Sequence, residues 1–322
     1  MPLAAVPGFI CAFHFREGGK AVQVPEDQLV KLLQEDDSWI WLHLNLADWR
    51  CRRWLGDVFE LPRGVIEEFA DPPVRQNVSA WKDLLCGHVA DFRREFDADS
   101  TEFAWLHLLQ GNRFLITGRV KALQSAERVR QYLTHDGSFP TPDAMLSWLL
   151  ASYADKIDAA LHRLTDELEL IEDHVLDDQH RGERRRLMLT RRETAQLHRH
   201  TRALRRALQT AEHGGINIPP GFAVTATRLA NLDQDFDDLE QRARFFHDEI
   251  DAKLAAETNR QLYILSALTA AFLPPALVAG LFGMNLNGIP FSDTPWGFWG
   301  AFGLSMATSG AVILYLRRAG RS

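Results

Sequence analysis

Between Asn259 and Asn285 the chain holds no Cys, His, Asp or Glu, yet its small and polar residues recur on one side of a helix. Steps of three and four from Asp248 give Ala252, Ala255, Asn259, Leu262, Ser266, Thr269, Leu273, Ala276, Gly280 and Met284, the period of an α-helix. The oxygens available along that line are amides, hydroxyls and backbone carbonyls, which suit contact with the water shell of a cation. Direct zinc ligation calls for thiolate, imidazole or carboxylate instead, and magnesium gives up its water reluctantly. Small residues also let helices pack closely, so the same line reads equally well as a packing seam.

The elements that carry this line are apolar. From Gln261 to Leu316 there is no Lys or Arg, and Asp293 is the only formal charge. Residues 262–284 and 297–316 each meet the roughly 20 residues needed to cross a hydrocarbon core. Trp296 and Trp299 suit the membrane interface. Lys253 and Arg260 precede the first span, Arg317, Arg318 and Arg321 follow the second, and the loop 285–296 has no basic residue. The positive-inside rule puts both ends of the chain, including the tail 317–322, in the cytoplasm. Pro274-Pro275 must kink the first span or free backbone carbonyls that something else satisfies. Two spans cannot enclose a pathway, so a pore requires an oligomer.

Upstream lies the ionic part of a mildly acidic chain of 322 residues, net charge −7. Residues 1–140 mix alternating, aromatic-rich strand signals (10–16, 38–45, 84–92, 103–109, 113–118) with helical spacing in LADWRCRRWLGDVF and RVKALQSAERVRQYL, which predicts an α/β domain. No Gly-rich phosphate loop and no nucleophile–base pair appears, so an enzyme is not expected, nor a cofactor. Residues 141–213 predict an antiparallel helical hairpin. Its acidic first arm (Asp166 to Asp178) faces its basic second arm (Arg184 to Arg192), which leaves no call for a nucleic-acid partner. Residues 221–261 form a stalk running unbroken into the first span, a helical pattern of about 60 residues or 90 Å.

The remaining candidates are weaker. Cys11, Cys51 and Cys86 lack paired spacing and read as buried thiols. The first fifteen residues lack a basic n-region and a sustained apolar stretch, so no signal peptide is expected there. Asp173, His174, Asp177 and Asp178, and likewise Asp233, Asp235, Asp237 and Asp238, could ligate metal but read better as solvated faces. His198 and His200 fall on different helix faces, and His14, His43, His88 and His107 lie in strands where they could converge.

The tripeptide Gly283-Met284-Asn285 closing the first of two C-terminal spans, with NRQLYILSALTAAFLPPALVAGLFGMN before it, resembles the CorA superfamily of divalent metal-ion transporters. The likeness covers essentially the whole chain. The loop LNGIPFSDTPWGFW lacks the Met-Pro-Glu-Leu segment typical of CorA magnesium channels and looks more like the ZntB branch, associated with zinc. The resemblance implies an α+β membrane protein of the bacterial inner membrane, a homopentamer with a cytoplasmic funnel, whose first span lines a pore.

Carried over residue by residue, Asn285 presents a carboxamide ring at the outer mouth beside Met284, and Gly283 lets the backbone turn. Asn259 forms an inner polar ring. Leu262, Leu265 and Leu273 are apolar constrictions with Thr269 and Ala276 between them. Gly280 is a close-approach position, and Asp248 is an acidic funnel position. Asp293 in the loop attracts cations. The family usually has one proline in the span; this chain has two.

The expected function is transport of divalent cations, zinc first, with cadmium, nickel, cobalt or magnesium as further ions. Uptake, with or without protons, is the expected direction, although no acid lies within either span to relay a proton. A CorA-type magnesium or cobalt channel is the alternative, and a membrane-anchored coiled-coil scaffold a distant one.

Overall fold

The structure, a computed structural model, describes residues 6–16, 18–33, 38–94, 102–177, 182–213, 219–284 and 296–319. The chain divides into two compact units, Met1–Phe245 and Phe246–Ser322.

The first unit is built on a seven-stranded sheet in the order β2-β1-β3-β7-β6-β5-β4. The strands are β1 (Phe9–Phe15), β2 (Ala21–Val24), β3 (Trp39–Asn45), β4 (Asn77–Trp81), β5 (Leu84–Phe92), β6 (Phe103–Gly111) and β7 (Phe114–Arg119). All neighbours are antiparallel except β3 and β7. That parallel pairing needs a crossover, which the short helices α1 (Leu29–Leu32), α2 (Arg50–Phe59) and α3 (Arg63–Ala70) help to cover. Strand alternation sends Ala12, Ile40, Leu42, Cys86, Leu109 and Ile116 to one face, where they close over Leu29, Leu55, Val65 and Phe69. The other face meets α4 (Gln124–Thr134) and α5 (Pro142–Leu176). Thr141 caps α5, its Oγ1 accepting from the Ala144 amide at 3.2 Å, with Pro142 in the first turn.

Helix α5 continues past the sheet beside α6 (Glu183–His213) and the start of α7 (Pro220–Phe282). Buried residues recur at helical spacing on all three: Leu161, Leu164, Leu168 and Ile171 on α5, Leu197, Leu204 and Leu208 on α6, Leu229, Leu232, Phe236 and Leu239 on α7. Ion pairs flank these contacts. Arg186 of α6 holds Glu167 of α5 at 2.9 Å, Arg242 of α7 holds Glu172 at 2.9 Å, and Arg228 holds Asp158 at 2.9 Å and Asp155. Of the basic block on α6, Arg186 faces the acidic arm in this way, while Arg163 on α5 pairs in the opposite sense with Glu193.

The second unit contains the rest of α7 and helix α8 (Gly297–Ala319). Helix α7 is one continuous element of 63 residues carrying Pro274 and Pro275 inside it.

The strand histidines separate. His88 and His107 pack edge to face at 4.7 Å, and His107 Nδ1 lies 2.5 Å from the Phe69 carbonyl oxygen, to which it must donate. His43 sits elsewhere: Arg119 Nε donates to its Nε2 at 3.1 Å, so Nδ1 carries the proton shared with Thr117 Oγ1 at 2.7 Å. The three thiols are free and buried, and burial pushes Cys11 up to about 12 and Cys51 to about 11, which leaves them unreactive.

Burial, then the Arg119 charge, pushes His43 down to about 3, and burial pushes His107 down to about 4. The unfolded chain, with histidines near about 6.5, therefore binds more protons than the folded one below that pH, and stability is lost as pH falls from about 6.5 toward these values. Buried Asp91, raised to about 6 by burial against its bonds from Ser125, acts in the opposite sense: its contribution falls as pH rises from about 3.8 to about 6. We expect the unfolding temperature of the full chain in detergent to fall between pH 7 and pH 5, and to fall less in His107→Gln. An identical slope in that variant removes His107 as a source.

Candidate functional site

Helix α7 in the second unit has three faces. One is half-buried: Ala267, Ala270, Ala271, Pro274, Pro275 and Val278. On α8 the half-buried residues Ala301, Ser305, Thr308, Ser309 and Val312 also follow helical spacing. The Ser309 hydroxyl donates across to the Ala271 carbonyl oxygen at 2.8 Å. These two lines of mostly small side chains are therefore where α7 and α8 meet.

The line from Asp248 to Met284 lies on a different face. Asp248, Asn259, Leu262, Thr269, Leu273, Ala276, Gly280 and Met284 are all exposed, Leu262 by 55% and Leu273 by 67%. Leu265 is exposed on an adjoining line, as are Leu268, Phe272, Leu277 and Leu281. The small residues of the Asp248–Met284 line are thus not the seam between α7 and α8. That seam is a separate set of alanines and the prolines, which sequence reading left unassigned. Spacing alone could have found it, because Ala267, Ala271, Pro274 and Val278 also recur by four and three.

The hydroxyl of Thr269 donates to the Leu265 carbonyl oxygen at 2.9 Å. Its proton is committed to the helix, so the oxygen faces outward as an acceptor. Water bound to a cation directs its hydrogens away from the ion, and an acceptor oxygen complements that shell. Apart from the adjoining backbone of its own helix, Gly280 has no described atom within 4 Å of where a Cβ would stand.

At the end of the helix Gly283 keeps a helical bond, its amide donating to Ala279 O at 2.9 Å. It is not among the glycines with positive φ. The departure from helix begins one residue later, where Met284 N reaches Leu281 O at 3.4 Å. Asn285 and Asp293 lie outside the described residues.

The acidic stretch on α7 is only partly a solvated face. Asp233 is buried: its Oδ1 stands 2.8 Å from His198 Nε2 and 3.0 Å from Arg202 Nε, and its Oδ2 3.0 Å from Arg205. Burial opposes the charge of Asp233, but the bonds from Arg202 and His198 and the charge of Arg205 bring its pKa below the usual carboxylate range. His198 Nδ1 meets Glu240 at 2.9 Å. Carboxylates at both ring nitrogens, with arginines around them, make a structural ion cluster between α6 and α7. His200 turns away to stack on Phe103 at 4.0 Å. On the hairpin, His174 pairs with Glu183 at 3.0 Å, and Asp178 lies outside the described residues. Among the described residues no three His, Cys, Asp or Glu are placed to hold a metal ion.

The chain thus combines an α/β unit with two helices long and apolar enough to cross a membrane, the first at the end of α7 and the second α8. The chain belongs to the CorA-like Mg2+ transporter protein family, whose model matches residues 36–318. It is 26% identical to the zinc transport protein ZntB of Pectobacterium carotovorum over 323 residues, covering 97% of this chain and 95% of the relative. It is 25% identical to the divalent cation transporter CmaX of Pseudomonas aeruginosa over 295 residues, 88% of this chain and 87% of the relative. Full-length CmaX has the same fold, with a TM-score of 0.80 at 22% identity over 97% of this chain and 98% of CmaX. The complete CorA magnesium transporter of Methanocaldococcus jannaschii follows at 0.70 and 18% identity, over 96% and 98%.

Removing His198 leaves Asp233 and Glu240 without one partner each. We expect His198→Ala to destabilise the full chain by about 1–3 kcal/mol. The loss should be smaller when made in Asp233→Asn, as a thermal or urea unfolding cycle reads directly. Additive losses would show that His198 does not act through Asp233, leaving its contact with Glu240 and its stacking on Phe236 at 5.5 Å.

Proposed function

We propose that the chain is a divalent-cation transporter of the bacterial inner membrane, a homopentamer with both chain ends in the cytoplasm, that carries zinc inward as a hydrated ion. Five copies of α7, each with its Asp248–Met284 line turned to the axis, would enclose what two spans per chain cannot. The observation that supports this is the face of α7 that α8 leaves uncovered. It carries acceptor oxygens at Asn259 and Thr269, apolar side chains at Leu262 and Leu273, and, from Asn259 to Met284, no Cys, His, Asp or Glu that would hold zinc tightly. Such a lining lets a hydrated ion pass without trapping it. Asn285 at the outer mouth and Asp293 in the loop supply first contact and attraction, while Leu265, Ala276, Gly280, Gly283 and Met284 shape the walls.

Zinc as cargo rests on the relatives named ZntB and on the loop sequence, not on ligand chemistry. A magnesium or cobalt channel is the second reading, favoured by the same lack of Cys, His, Asp and Glu between Asn259 and Asn285. Proton coupling, if present, has no acid within the described parts of either span to work through, so any proton-binding group belongs outside them.

Ion flux into liposomes, measured for zinc and magnesium with and without a pH gradient, decides among these readings. Zinc flux is expected, reduced about tenfold in Asn285→Ala and about 2- to 10-fold in Thr269→Val, the loss of one acceptor at about 0.5–1.5 kcal/mol. Magnesium flux without zinc flux would overturn the cargo. Unchanged zinc flux in both variants would overturn the hydrated-ion pathway.

A further inference from the structure

An α-helix joins each amide to the carbonyl four residues back. Pro274 and Pro275 have no amide hydrogen, so the carbonyls of Ala270 and Ala271 lose their helical donors. In water such a group would be solvated. In a hydrocarbon layer it must find another donor within the protein.

The donor for Ala271 comes from the other helix. Ser309 Oγ stands 2.8 Å from Ala271 O. The other hydroxyls nearby on α8 do something different. Ser305 donates to Ala301 O at 2.9 Å, and Thr308 lies 2.9 Å from Leu304 O and 3.0 Å from Ser305 O. Each turns back on its own helix, the usual habit of Ser and Thr in apolar helices. Ser309 alone of these three reaches across, and the carbonyl it reaches is one that a proline has orphaned.

Position adds a second observation. Ala271, Pro274 and Pro275 are all half-buried on the face that meets α8. At about 100° per residue, Ala271 lies about 200° around the helix from both Thr269 and Leu273. The contact is thus behind the exposed line, on the side away from it.

We propose that Ser309 is a positioning residue: its hydroxyl replaces the hydrogen bond missing at Pro275 and so fixes the proline-bearing turn of α7 against α8. That turn lies between Leu262, Ser266 and Thr269 on one side and Ala276, Gly280 and Met284 on the other, and holding it keeps the two halves of that line in register. The replacement of the bond stands on the geometry alone; its effect on ion passage rests on the transport reading above.

The test is a cycle on the full-length protein. Pro275→Ala returns an amide hydrogen to Ala271 O, which makes Ser309 redundant. Ser309→Ala, Pro275→Ala, their combination and Ser309→Thr are compared by thermal unfolding in detergent and by zinc flux in liposomes. Ser309→Ala is expected to lower the unfolding temperature and to cut zinc flux about 3- to 10-fold, in line with one interhelical hydrogen bond in a membrane. In the Pro275→Ala background it is expected to change neither, and Ser309→Thr is expected to keep native behaviour. Equal losses in the native and Pro275→Ala backgrounds would overturn the proposal and leave Ser309 a packing residue. If Ser309→Ala fails to fold, recovery of folding in the double variant supports the proposal and its absence overturns it. Absence of flux in the native protein would sink the transport reading, while the unfolding cycle would still decide the role of Ser309.

Discussion

A carbonyl oxygen inside an apolar layer cannot be left without a donor, and that rule organises the second unit. Two adjacent prolines in α7 create the problem at Ala270 and Ala271. An unaccompanied helix of this sequence would therefore be poorly suited to hydrocarbon, and α8 is the element that answers, with Ser309 placed opposite the vacated bond. The demand also explains composition. Close approach of the two helices requires small side chains, and both contacting faces are made mostly of alanine, serine, threonine and proline, with one valine on each. With that face of α7 committed to α8, the Asp248–Met284 line is left for other contacts.

The first unit treats its polar groups by a different rule. There, the buried charge of the α6–α7 interface is matched. Asp233 enters the α6–α7 interface with Arg202, Arg205 and His198 around it, and Glu240 closes the other side of the ring. Arg228 and Arg242 tie the same helix to α5. The early part of α7 is thereby held by directional pairs as well as by Leu229, Leu232, Phe236 and Leu239. His43 and His107 of the sheet follow the opposite course, burial favouring the neutral ring. His43 is fixed by Arg119 and Thr117, His107 by one backbone oxygen.

What could be read from sequence depended on how much of an element faces the core. Strands β1, β3, β5, β6 and β7 are interior to the sheet and carry long aromatic or aliphatic runs, so their positions were legible nearly to the residue. The edge strands β2 and β4 were missed, because AVQV and NVSAW are short and bury little. The Asp233 cluster was misjudged as a solvated face because its partners sit thirty or more residues away on α6, and spacing along one helix cannot see them. Family motifs marked the end of the first span, and α7 ends at Phe282, with the Gly283 amide still bonded to Ala279.

The face that meets α8 also bears on the ambiguity between a pore line and a packing seam. A stripe of small residues is consistent with both, and α7 has two such stripes. One is occupied within the chain, by a helix that supplies a donor to a broken backbone. The other keeps its alternation of amide, hydroxyl and leucine on an open face, with the Thr269 proton turned inward to Leu265 and its oxygen outward. In a seam between like helices Asn259 meets its own copies, since a carboxamide both donates and accepts, whereas Thr269, its proton given to Leu265, offers an acceptor alone and needs an outside donor. Under the proposed function, the water around a dication supplies such donors. The same α7 thus carries one line set against α8, where Ser309 reaches Ala271, and a second line that α8 leaves exposed, separated by about half a turn of helix.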